Sequence, residues 1–101
     1  MRRAARVDAN QSDIIDALRK CGASVAVIKE PVDLVVGIGG ISILVEVKDG
    51  KKPKSAQKYT EQQVEFFATW RGSKARVDSV EAAIRLIDVL RATSKRMLEN
   101  D

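Results

Sequence analysis

The chain has 101 residues, of which 45% are hydrophobic and 32% charged, a balance typical of one soluble folded domain. It contains no histidine and one cysteine, which excludes Ser-His-Asp and Cys-His catalysis, zinc fingers and disulfides within the chain. The net charge of +4 fits a polyanionic partner such as nucleic acid, although an ordinary basic surface explains it equally well. The sequence has no run of about 20 apolar residues, so neither a membrane span nor a secretory signal is expected.

The first half of the chain predicts a helix followed by three strands. The predicted elements are a basic lead-in over 1–9, a helix over 11–21, and strands over 23–28, 34–38 and 41–48. Asn10 is the expected N-cap of the helix and Gly22 its C-terminal stop. Between the last two strands, Gly39-Gly40 favours a two-residue hairpin loop, because both positions accept positive φ.

The second half predicts a helix, a strand and a final helix. These are a lysine-rich loop over 49–58, a helix opened by Thr60, a strand over 75–77, and a helix that begins at Asp78 and frays from about residue 92. The residues expected on the buried sides of the two helices are Val64, Phe67 and Ala68, and Val80, Ala83, Ile84, Ile87 and Leu90. Thr60 and Gln63 have the spacing of a capping box. This order predicts one α/β domain, with a core over about 10–91, in which a mixed four-stranded sheet is flanked by helices.

Pairing across the predicted hairpin brings two acids and a lysine together. With the hairpin centred between Gly39 and Gly40, Asp33 lies opposite Glu46, and Lys48 shares their face of the sheet. Two carboxylates about 5 Å apart repel each other by about 3 kcal/mol at an effective dielectric of about 20. A raised pKa, the nearby lysine or a divalent cation would relieve this repulsion. Alternatively, these are ordinary polar residues at a strand end, and Lys48 neutralises Glu46.

The sequence around these residues resembles that of a known nuclease superfamily. The run from Asp33 to Gly37, followed after the glycine turn by Glu46-Val47-Lys48, resembles the PD-(D/E)XK nucleases, and most closely their small VRR-NUC and Holliday-junction-resolvase members, many of them phage-encoded. The resemblance covers roughly residues 10–90 and implies a restriction-endonuclease-like α-β-β-β-α-β-α core. Pro31 departs from the pattern, because it is separated from Asp33 by one residue.

The resemblance implies a role for each member of the motif. Asp33 and Glu46 would bind Mg²⁺, or Mn²⁺ in its place, with help from the backbone carbonyl of Val47. Lys48 would position the attacking water against the phosphate.

Two further site positions follow from the resemblance. Gln63 would enter the site from the following helix, although the capping box explains this residue equally well. An acid from the first helix would complete the metal ligands. Asp13 is the candidate for it, with Asn10 or Asp16 as alternatives.

Basic residues beyond the motif fit a nuclease that holds DNA by its phosphates. They are Lys51, Lys52, Lys54 and Lys58 in the loop, and Arg71 and Lys74 further along. A solvated surface loop explains the first four equally well. Phe67 and Trp70 are expected in the core or in a dimer interface rather than as platforms for stacked bases.

The resemblance implies a Mg²⁺-dependent DNA endonuclease that hydrolyses phosphodiester bonds. Since no separate target-recognition domain is expected, selectivity would come from the shape of the DNA, such as a branch, a flap or a nick. Cutting two strands would require a homodimer, and the setting would be the cytoplasm of a bacterial or phage-infected cell. The alternative is a non-catalytic DNA-binding or assembly module that retains the nuclease fold.

Overall fold

The order of helices and strands follows the sequence prediction. The structure is a computed structural model that describes residues 9–99. Its elements are α1 (Ala9–Lys20), β1 (Ser24–Val27), β2 (Leu34–Ile38), β3 (Ile41–Val47), a 3₁₀-helix (Lys54–Gln57), α2 (Glu61–Thr69), β4 (Lys74–Val77) and α3 (Val80–Glu99). The basic lead-in predicted over 1–9 lies outside the described residues, except for Ala9, where α1 begins.

The four strands form one mixed sheet in the order β1-β2-β3-β4. β2 is antiparallel to both β1 and β3, and β4 runs parallel to β3. In the hairpin, Leu34 pairs with Val45 and Ile38 pairs with Ile41, which confirms the predicted register. Gly39 and Gly40 form the loop with φ of 60° and 81°, as a two-residue turn with positive φ at both positions requires.

Alternation along the strands gives the sheet one apolar face and one polar face. The apolar face is covered by α1 and α3, and its buried side chains form the hydrophobic core. They include Ile14, Leu18, Leu34, Val36, Ile43, Val45, Val47, Val77, Ala83, Ile87 and Leu90. The side chains of Glu46 and Lys48 project from the opposite face, where they meet Gln63 of α2. The fold therefore separates the residues that build the core from the polar residues of the motif.

The apolar side predicted for α2 is not buried, and this part of the prediction is wrong. No residue of α2 is buried: Val64 is 56% exposed, Ala68 is exposed and Phe67 is half-buried. The aromatic rings of this region pack along the helix against one another instead. The ring centroids lie 5.5 Å apart for Phe66 and Phe67, and 5.3 Å apart for Phe66 and Trp70. Neither Phe67 nor Trp70 is therefore a core residue.

The last helix also differs from its prediction. Ser79 caps α3, since its Oγ accepts the N–H of Ala82, and the helix continues through Glu99 instead of fraying from residue 92. Ser94 is buried in this extension and donates to the carbonyl of Gly39 at 2.6 Å, which ties the helix to the hairpin. Ile84, predicted to be buried, is 41% exposed because the buried stripe passes through the neighbouring positions.

None of the helices within residues 9–99 has both the length and the apolar character to span a membrane.

The two glycines of the hairpin loop give a matched pair of variants for testing the contact between Ser94 of α3 and the hairpin. A Cβ added at Gly39 would lie 2.5 Å from Oγ of Ser94, whereas one added at Gly40 would meet nothing within 4 Å. Both positions have positive φ, which costs a side chain about 1 kcal/mol. We expect Gly40→Ala to lower the free energy of unfolding by about that amount and Gly39→Ala by about 1 kcal/mol more. Urea unfolding followed by circular dichroism measures both, and equal losses would contradict the close approach of α3.

Candidate active site

Asp33 is fixed by the turn that leads into β2. Its carbonyl accepts the N–H groups of Ile28 at 2.9 Å and Lys29 at 3.3 Å, which closes the turn ahead of the strand. Its carboxylate oxygen Oδ2 accepts the backbone N–H of Val47 at 2.8 Å. The acid is therefore held against β3, beside the strand position that carries Glu46.

Glu46 is a buried acid with one satisfied oxygen and one unsatisfied oxygen. The residue is 4% exposed, and its Oε2 accepts from Nε2 of Gln63 at 2.7 Å and lies 3.3 Å from Nζ of Lys48. Its Oε1 is buried and has no hydrogen-bond partner within the described residues. Burial first, and the charge of Asp33 second, raise the pKa of Glu46, while Gln63 and Lys48 oppose the rise.

Lys48 is surrounded by acceptors. Besides Oε2 of Glu46, its Nζ lies 3.2 Å from the carbonyl of Lys58 and 3.5 Å from Oε1 of Gln63. An ammonium has three N–H donors, so these three acceptors account for all of them. The ammonium also lies 5.4 Å from the centre of the Tyr59 ring, within range of a cation–π contact. The side chain is 14% exposed, and its charge is therefore held in place beside Glu46.

Gln63 caps α2 and also contacts Glu46. Its backbone N–H donates to Oγ1 of Thr60 at 3.1 Å, and its Oε1 accepts the N–H of Thr60 at 3.2 Å, which completes the capping box of α2. Its Nε2 at the same time donates to Glu46. The start of α2 is thus connected directly to the buried acid.

Tyr59 and the carbonyl of Lys58 are neighbours of the site that the sequence analysis missed. Tyr59 is half-buried, and its ring centroid lies 5.0 Å from that of Phe67. Burial raises the pKa of the Tyr59 phenol above its ordinary value. The one available signal was its position: an apolar residue just before an N-cap often packs against the first turns of the helix.

The first helix does not supply an acid to this site. Asn10 lies inside α1 rather than at its N-cap, and its Nδ2 donates to the carbonyl of Lys48 at 2.7 Å, bracing the end of β3. Asp13 and Asp16 lie along the grooves that border α1, and no group of three His, Cys, Asp or Glu side chains lies together in the part of the chain that the structure describes. The reason is that α1 packs on the apolar face, away from Glu46.

The predicted DNA-binding residues are all on the surface. Lys51, Lys52, Lys54, Lys58, Arg71 and Lys74 are exposed. The loop that carries the first four has a defined shape: Gln57 donates to the carbonyl of Lys52 at 2.6 Å and accepts from Arg76 at 2.7 Å. Lys74 donates to the carbonyls of Phe67 and Trp70, so its ammonium also secures the end of α2.

The site has the donors that a hard divalent cation requires. Mg²⁺ binds to one or two carboxylates and fills its other positions with water and phosphate oxygens. Asp33, just before β2, and Glu46, on the neighbouring strand β3, provide two carboxylates, and Oε1 of Glu46 is a buried acceptor with no donor among residues 9–99. The residues therefore fit such an ion.

Comparisons with known protein families, with curated proteins and with solved structures find no match to this chain.

Proposed function

We propose that this chain is a metal-dependent DNA endonuclease of the PD-(D/E)XK type, which hydrolyses phosphodiester bonds. The observation that carries the proposal is the Oε1 atom of Glu46, which is buried without a hydrogen-bond partner among the described residues and lies near a second carboxylate, Asp33. An ionised carboxylate buried in this way destabilises the folded protein unless a cation compensates it. Lys48 compensates it only in part, since the pKa of Glu46 is still raised.

Asp33, Glu46 and the carbonyl of Val47 would hold the ion. The N–H and C=O of a strand residue point to the same edge of the strand, and the N–H of Val47 points towards Asp33. The carbonyl of Val47 therefore faces the same edge of β3 as Asp33. A Mg²⁺ or Mn²⁺ ion bound there would act as a Lewis acid on a phosphoryl oxygen and would make water more acidic.

Lys48 and Gln63 act on the groups around the ion. Lys48 places a positive charge beside Glu46, where negative charge develops on the phosphate during attack by water. Exchange of its longest contact, the 3.5 Å contact to Gln63, frees one N–H for the water or for a phosphate oxygen. Gln63 orients Glu46 through the 2.7 Å hydrogen bond.

The exposed basic side chains favour a nucleic acid as the substrate. The lysine-rich loop begins just after Lys48, and β4 places Arg76 opposite Glu46 in the sheet. Lysine and arginine on a surface bind phosphates, and such contacts carry no base-sequence information. We therefore propose selectivity for the shape of branched, flapped or nicked DNA, and cleavage of two strands by a homodimer with one site in each subunit.

A cleavage assay tests this function. We expect the chain to cut supercoiled plasmid, flap or four-way-junction DNA in Mg²⁺ or Mn²⁺, and to cut nothing in EDTA. Asp33→Asn should reduce cutting at least about 100-fold, because the amide still accepts from Val47 but carries no charge for the ion. Linear duplex is the comparison substrate for shape selectivity. Tight binding to branched DNA without cleavage in any metal would overturn the proposal and favour a non-catalytic binding module.

A further inference from the structure

The carboxamide of Gln63 has a single orientation that satisfies its neighbours. Its Oε1 accepts the backbone N–H of Thr60 and faces the ammonium of Lys48, so its NH₂ group is directed at Glu46. The reversed amide would point its NH₂ group at two other donors and its oxygen at a carboxylate. The hydroxyl of Thr60 accepts the N–H of Gln63, which holds this backbone N–H of Thr60 near Oε1. Thr60 therefore helps to decide which atom of Gln63 meets the buried acid.

The orientation of Gln63 in turn decides which oxygen of Glu46 is available. Nε2 of Gln63 and Nζ of Lys48 both approach Oε2, at 2.7 Å and 3.3 Å. Oε1 is buried and has no donor within the described part of the chain. This oxygen would therefore be available to a cation that binds between Asp33 and Glu46.

We infer that Thr60 is a positioning residue for the cation site, acting through Gln63 on Glu46. The inference rests on the proposed function in one respect, namely that a cation binds between Asp33 and Glu46, and it does not depend on DNA cleavage. Thr60 itself is exposed, and its hydroxyl accepts the N–H of Gln63 at 3.1 Å. Since no residue of α2 is buried, polar contacts of this kind rather than core packing place the first turn of the helix.

Binding of Mn²⁺ to the full chain without DNA tests the inference. Free Mn²⁺ is followed by electron paramagnetic resonance during titration of the wild type, Thr60→Val and Thr60→Ser. Valine has the shape of threonine without the hydroxyl, and we expect about ten-fold weaker binding, the lower end of the effect of a group that orients a metal ligand. Serine restores the hydroxyl and should bind within two-fold of the wild type.

Two further variants separate positioning from helix stability. Ala68→Gly weakens α2 at an exposed site but leaves the capping box in place, so we expect Mn²⁺ affinity within two-fold of the wild type. Thr60→Gly removes the hydroxyl with little loss of capping, and it should bind as weakly as Thr60→Val. Circular dichroism checks the helix content of every variant. If Thr60→Val fails to fold, Thr60→Gly supplies the same comparison.

The outcomes distinguish this inference from the proposed function. If the wild type binds Mn²⁺ and Thr60→Val and Thr60→Gly bind it equally well, Thr60 has no positioning role, and the proposed metal site is unaffected. Equal weakening by Ala68→Gly would also overturn it, because helix stability would then be the cause. Absence of Mn²⁺ binding by the wild type would overturn both.

Discussion

Replacing Lys48 by alanine should lower the rate of metal-dependent DNA cleavage about 10³-fold, the loss typical of removing a preorganised group that stabilises developing negative charge. The ammonium lies 3.3 Å from Glu46 and is held there by the carbonyl of Lys58 and by Gln63, contacts that alanine cannot make. Single-turnover cleavage of a nicked or branched duplex at saturating Mg²⁺ measures the effect on the chemical step.

A second lysine provides the control for loss of charge. Lys20 is exposed in the last turn of α1, on the far side of the sheet from Glu46. Lys20→Ala removes one positive charge, as Lys48→Ala does, and should leave the cleavage rate within about two-fold. Circular dichroism confirms that both variants are folded. Cleavage by Lys48→Ala within ten-fold of the wild type would remove Lys48 from the mechanism.

Replacing Glu46 by glutamine should abolish metal-dependent cleavage and stabilise the protein in the absence of metal. The amide keeps the shape of the side chain and removes the repulsion from Asp33, as well as the cost of burying a charge. We expect a gain of about 1 kcal/mol in the free energy of unfolding at neutral pH in EDTA, a typical value for relief of strain at a functional site. Urea unfolding followed by the fluorescence of Trp70, the single tryptophan, measures it.

The stability gain should depend on pH with a defined sign. Because the pKa of Glu46 is raised in the folded protein, folding favours its protonated form. The wild type is therefore least stable, relative to Glu46→Gln, above that raised pKa. The difference should shrink as the pH falls through the raised pKa and should be lost below the ordinary value of 4.5. If the difference in the free energy of unfolding between Glu46→Gln and the wild type instead grew on acidification, Glu46 would not have a raised pKa in the folded protein.

The hairpin and its register were predictable because the sequence allows one arrangement. Gly39-Gly40 fixes the loop, and a shift of one residue would turn the apolar side chains of β2 and β3 to the polar face. The same alternation placed Asp33, Glu46 and Lys48 on one face. The period of a strand alone was enough to place these three residues, and the contact between Glu46 and Lys48 in the structure follows from it.

The surroundings of the site were less predictable, for two physical reasons. A helical apolar pattern does not identify the surface that the helix meets, so Val64 and Ala68 of α2 were predicted to be buried although they are exposed. Contacts made by the backbone are also not encoded in residue type. The carbonyl of Lys58 reaches Lys48 because of the path of the loop, which the sequence alone does not reveal. Asp13 illustrates the first of these two reasons: it could not be excluded as a metal ligand until the packing face of α1 was known.

Because α2 is exposed, the surroundings of Glu46 consist of two parts that differ in the free energy of local opening. Local opening requires less free energy where few apolar groups are buried, and no residue of α2 is buried, whereas β2 and β3 are part of the core. The helix can therefore separate from the sheet while the strands stay paired. Asp33 and Glu46 are held by strands that belong to the core, whereas the amide of Gln63 belongs to a segment whose local opening requires less free energy.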